Sequence, residues 1–180
     1  DVQWMPAGSG IVHSEMPSPA MHERGGRAHS FQIWLNLPAA HKMAAQRYQF
    51  IANDQMPLGH SEDGLVTVKV IAGEAYGVPA KIDTYVPVTL QDWDMQPGAT
   101  AKPVMPPEQQ MALYLFEGSL AVGPRARIIE EGQLVIFGDG GAIDLTLDAG
   151  AETPARFLLF GGVPIGEPIA RHGPFVMNTR

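Results

Sequence analysis

The chain has 180 residues, which suits one large domain or two small ones. Its 12 Lys and Arg stand against 19 Asp and Glu, a net charge of −7 that leaves no basic excess to displace the counterions of a nucleic-acid backbone. Cysteine is absent, which excludes disulfides and thiol catalysis, and no apolar run approaches the ~20 residues of a membrane-spanning helix. The 20 Gly and 16 Pro, with 45% hydrophobic residues, favour many short strands and frequent turns.

In chain order, Pro6, Gly8 and Gly10 form a turn that feeds a short strand, Ile11 to Met16, which Pro17 ends. Alternate side chains of a strand face one side, roughly 6.5 Å apart. His13 and Glu15 therefore share a face and can converge on one divalent metal, for which imidazole and carboxylate are suitable donors. The same spacing also fits an exposed strand edge or a plain hydrogen-bonded pair. Two donors alone do not hold a metal well, since catalytic sites keep three or more. Ser14 points to the opposite face and cannot join His13 and Glu15 in a hydrolase site.

Ser18 to Arg27 reads as a loop. His29 to Leu37 alternates as a strand, with Phe31, Ile33, Leu35 and Leu37 on one face and Gln32, Trp34 and Asn36 on the other. The second face is either solvated or lines a wet cavity. Pro38 stops it, and Ala39 to Gln46 forms a turn of helix or stays irregular. Asn53 to Gly64 reads as a linker. Leu65 to Ala72 is a strand with Val66, Val68 and Val70 on one face, and Val86 to Met95 contains another, with Leu90 and Trp93 packing.

Ala112 to Val122 reads as a hairpin turning at Glu117-Gly118. Ala126 to Ile129 is expected to pair with Leu134 to Phe137 across Glu130-Glu131-Gly132. Ile143 to Leu147 follows an Asp139-Gly140-Gly141 turn, and Arg156 to Phe160 is a buried strand. Short strands at this spacing, with little helix, predict an all-β antiparallel barrel or jelly roll. His22 and His29 flank a charged loop that reads as solvated, with a place at the mouth of a binding cavity as the alternative; His41 beside Lys42, His60 in the linker and His172 before a Gly-Pro turn are not taken as ligands. No Gly-x-Gly-x-x-Gly motif supports nucleotide binding.

Several longer blocks resemble the pirin family, two-domain proteins of the cupin superfamily. They are Asp1-Val-Gln-Trp-Met5, Gly10-Ile-Val-His-Ser-Glu-Met-Pro17, Phe31-Gln-Ile-Trp-Leu-Asn-Leu-Pro38, Leu115-Phe-Glu-Gly-Ser119, Gly138-Asp-Gly140 and Gly173-Pro-Phe-Val-Met-Asn-Thr179. The resemblance implies two stacked β-barrels, the first binding one metal, usually iron, through three His and one Glu. The family's His-x-Glu matches here at His13 and Glu15; its His-x-His would precede Asp1, and nothing in the chain replaces it.

On this resemblance the fold is an all-β cupin, the second half of one barrel plus a complete second barrel. Residues 1–55 would be the C-terminal half of the metal-binding domain, 56–64 a linker, 65–168 a metal-free second cupin domain and 169–180 a tail. Asp1, opening inside a structured segment, and Arg180, just after an apolar stretch, predict a chain cut at both ends. The implied cofactor is one divalent metal, Fe(II). The implied substrates are a flavonol and O2, as in quercetin 2,3-dioxygenases, with His13 a ligand and Glu15 both ligand and catalytic base. The alternative is a non-enzymatic, iron-dependent transcriptional co-regulator or redox sensor acting through a protein partner. Neither reading needs direct nucleic-acid or membrane contact, and both place the protein in the cytoplasm, or also the nucleus of a eukaryote. With half the donor set, the chain alone is expected to bind metal weakly and turn over little.

Overall fold

The computed structural model describes residues 1–16, 19–138, 141–148 and 151–179. The expected strand stop at Pro17, the loop start at Ser18, the Asp139-Gly140 turn and the end at Arg180 lie outside the described residues. The chain divides into two compact units. One comprises Asp1–Trp4 with Gln49–Pro164, the other Met5–Tyr48 with Ile165–Arg180. Among the described residues, no helix is long and apolar enough to cross a membrane.

The first unit is built on two antiparallel sheets. Six strands form the larger, in the order Leu134–Ile136, Gln110–Glu117, Ala155–Gly162, Val88–Met95, Val66–Ala72, Leu58–His60. Four form the smaller, in the order Arg127–Glu130, Ser119–Val122, Leu145–Thr146, Thr100–Ala101. Alternation decides which side chains meet between them. Val66, Val68 and Val70 are fully buried in the main core with Trp93, Met95, Leu113, Leu115, Phe157 and Leu159. Trp93 stacks on Phe157 at 5.7 Å between ring centroids, 12° from parallel.

The outer face of the larger sheet is apolar at one end as well. Ile71, Val88 and Leu90 join Ile51, Met56 and Ile82 in a second cluster, with Trp4 and Phe160 packed against it. Leu90 and Trp93, three residues apart, thus belong to different cores, because odd spacing on a strand puts them on opposite faces.

The expected strand Leu65 to Ala72 is present as Val66–Ala72, that in Val86 to Met95 as Val88–Met95, and that in Arg156 to Phe160 as Ala155–Gly162. The two expected hairpins are not. Gln110–Glu117 pairs with Leu134–Ile136 and Ala155–Gly162, whereas Ser119–Val122 pairs with Arg127–Glu130 and Leu145–Thr146. Gly118 is where the chain leaves one sheet for the other. Its φ of +82° and a ladder irregularity between Leu115 and Glu117 redirect the strand instead of folding it back. Arg127–Glu130 and Leu134–Ile136 likewise lie in different sheets. The 56–64 stretch carries a strand, Leu58–His60, paired with Val66–Ala72.

The second unit has little regular structure. A short helix, Pro19–Arg24, a 3-10 turn, Ala39–His41, and one antiparallel pair, Ala170–His172 with Phe175–Met177, are its described elements. Neither 11–16 nor 29–37 forms a ladder. Alternation signals a chain able to enter a sheet, but a strand exists only where a second strand satisfies its N–H and C=O groups.

Candidate metal centre

The segment carrying His13 and Glu15 is launched from a fixed turn. Gly10 donates its N–H to the Ala7 carbonyl at 2.8 Å, Ser9 to that of Ala44 at 2.9 Å, and Arg47 to that of Pro6 at 3.2 Å. Gly8 has φ +51°, and a Cβ there would lie 2.0 Å from the Ala44 carbonyl oxygen, so the close approach of the two segments requires glycine.

Beyond the turn, His13 and Glu15 project to the same side, with Nε2 3.8 Å from Oε1. The side chains are 42% and 55% exposed, so the pair is open to solvent and to a ligand. Gln32 donates from Nε2 to Glu15 Oε1 at 3.1 Å and ties the 29–37 segment to the pair. The other two residues of that polar face are also engaged. Lys42 Nζ donates to Asn36 Oδ1, and the Arg171 guanidinium lies 5.0 Å from the Trp34 ring centroid. The Gln32, Trp34, Asn36 face therefore binds other segments of its own unit, while Phe31, Ile33 and Leu35 are exposed.

Lys42 is buried, and burial holds its amine below the ordinary lysine value, with the Glu167 charge opposing. Glu167 accepts from the Ala39 N–H at 2.7 Å and from Asn178 Nδ2 at 2.9 Å, so the 167–178 stretch is pinned to the 3-10 turn.

Among the described residues, no group of three or more His, Asp or Glu side chains is placed to hold a metal ion. His13 and Glu15 fit a metal as an adjacent nitrogen and oxygen donor, and no third such ligand among the described residues joins them. In the first unit, the inward positions Thr89 and Gln91 carry polar atoms already engaged. Thr89 Oγ1 donates to Gln109 Oε1 at 2.8 Å, Trp93 Nε1 to Gln91 Oε1 at 2.9 Å, and Gln91 Nε2 to the Glu74 carbonyl at 2.8 Å. Sequence reasoning did not single out Gln109, Gln91 or the partnership of Gln32 with Glu15. Apart from the local Trp93–Gln91 bond, each depends on residues 17 or 20 positions apart in the chain.

The antiparallel sheets of the first unit, with a core between their facing sides, are those of an all-β cupin protein. Residues 90–180 match the pirin C-terminal cupin domain and residues 1–35 match the pirin domain, and the chain belongs to the pirin family. Human pirin is 37% identical over 183 residues, spanning 99% of this chain and 59% of that one. A pirin-like protein of Solanum lycopersicum is 36% identical over 181 residues, spanning 100% of this chain and 59% of that one. A crystal structure of quercetin 2,3-dioxygenase from Acinetobacter baumannii superposes with a TM-score of 0.86 at 30% identity, covering 99% of this chain and 60% of that one. The chain thus spans about three fifths of the length of these relatives.

Proposed function

We propose that a pirin protein carrying this chain cleaves flavonols with O2, using an iron ion held in part by His13 and Glu15. The observation that carries this reading is the convergence of His13 Nε2 and Glu15 Oε1 to 3.8 Å on an exposed face of a chain that superposes on a quercetin 2,3-dioxygenase. His13 would give a neutral imidazole donor. A bound iron would supply Lewis acidity toward the flavonol hydroxyl and redox access to O2. Glu15 would hold a carboxylate oxygen beside that hydroxyl and take its proton, with Gln32 Nε2 fixing the carboxylate's direction. A cytoplasmic setting is part of the same proposal.

The test is oxygen uptake with quercetin by the natural full-length protein, with iron content measured in parallel. His13→Ala and Glu15→Gln should each abolish turnover and lower bound iron. Turnover retained in both variants overturns the proposal. Iron binding without turnover, together with capture of a specific protein partner, supports an iron-dependent regulator in its place. For the 180-residue chain alone, substoichiometric iron is expected; tight stoichiometric iron that survives substitution of His29 and Gln32 refutes the half-site reading.

A further inference from the structure

The Asp1–Trp4 and Gln49–Pro164 unit holds an open-mouthed cavity of about 670 Å³. It lies between Arg127–Glu130 and Leu134–Ile136, edge strands of the two sheets. These strands are joined by a three-residue turn yet pair into opposite sheets, so no ladder closes the gap between them. The floor is apolar and buried: Met105, Val122, Ile129 and Ile143 line it, each under a tenth exposed. Its volume falls in the roughly 300–1,000 Å³ range typical of sites for small organic ligands.

Two polar groups face this space. Arg127 lines it, and neither Arg127 nor the neighbouring Arg125 has a carboxylate partner among the described residues. Other cations of the same unit are engaged: Lys69 by Asp92, Lys102 by Asp144, and Arg156 by Asp94 and Glu117. A guanidinium with no carboxylate partner among the described residues, at an apolar mouth in a chain of net charge −7, is a local site for an anion. Gln133 also lines the cavity. Its side-chain Oε1 accepts from the Glu130 N–H at 3.0 Å, which leaves the side-chain NH2 as a second donor.

We infer that this cavity binds a small organic anion with an apolar body, such as a medium-chain carboxylate, its chain on the floor and its carboxylate on Arg127. The site shares no residue with the His13–Glu15 pair and does not depend on iron.

The experiment is calorimetric titration of the chain with decanoate and, as the neutral counterpart, decanol. Decanoate should bind saturably, one per chain. Arg127→Gln should weaken decanoate roughly tenfold, about the worth of one charge-assisted hydrogen bond, and leave decanol unchanged. Ala142→Trp, at an exposed lining position, should block both ligands without disturbing the core. The inference is overturned if decanoate fails to saturate through the millimolar range. Equal weakening of both ligands by Arg127→Gln, or full binding in Ala142→Trp, also overturns it. So does a concentration-dependent dimer in which a second copy, not decanoate, covers the cavity.

Discussion

Replacing Gly118 by alanine tests the turn on which the two-sheet architecture depends. Gly118 separates Gln110–Glu117 in the larger sheet from Ser119–Val122 in the smaller, with φ at +82°. A Cβ in this left-handed region costs about 1–2 kcal/mol. It would also sit 2.4 Å from the Pro154 carbonyl oxygen, closer than any real Cβ contact. Relief requires moving the backbone that enters the Ala155–Gly162 strand, and overpacking of this kind costs about 1–3 kcal/mol. The sum, about 2–5 kcal/mol, is a large share of the ~5–15 kcal/mol that keeps a domain folded.

Urea unfolding followed by circular dichroism measures it. With a slope of about 2 kcal/mol per molar, the midpoint should fall by about 1–2.5 M. Gly64→Ala is the control. Gly64 has φ +73° but open space around the added Cβ, so it carries the conformational cost without the collision. A Gly118→Ala midpoint shift no larger than that of Gly64→Ala, at unchanged slope, refutes the steric argument.

Trp93→Ala removes a side chain only 2% exposed and leaves Gln91 Oε1 without its donor, so a loss of about 3–5 kcal/mol is expected in the same urea assay. Lys42→Met should flatten the alkaline pH profile. Burial lowers the folded amine below its ordinary 10.5, so the unfolded chain binds the extra proton between those values and stability climbs as pH rises through that window. Thermal melts from pH 8 to 10.5 should show the climb in the native chain and not in the variant. Asp63→Asn acts at the acid end. The Ser61 hydroxyl, at 2.6 Å, and then the Leu65 N–H, at 3.0 Å, hold the Asp63 carboxyl below its ordinary 3.8. Its contribution is present above that value and is lost as pH falls through the folded value. Melting curves of the two proteins should therefore differ at neutral pH and converge near pH 2; a constant offset would contradict the assignment.

Local pattern alone was enough for the features with a short range. Alternation placed Val66, Val68 and Val70 on one buried face, and the i, i+2 spacing put His13 and Glu15 on one side, because side-chain direction follows from each residue's own backbone. Blocks such as Gly10 to Pro17 and Gly173 to Thr179 carried the family. Pairing was decided only in three dimensions. Glu117-Gly118 looks like a hairpin turn, yet the strands on either side of it find better partners in separate sheets, brought close by the rest of the chain. The alternating stretches 11–16 and 29–37 pair with no strand among the described residues and stay outside any ladder. The company each site residue keeps is non-local too: Gln32 reaches Glu15 across 17 positions, and the cavity beside Arg127 exists because two adjacent strands diverge into different sheets.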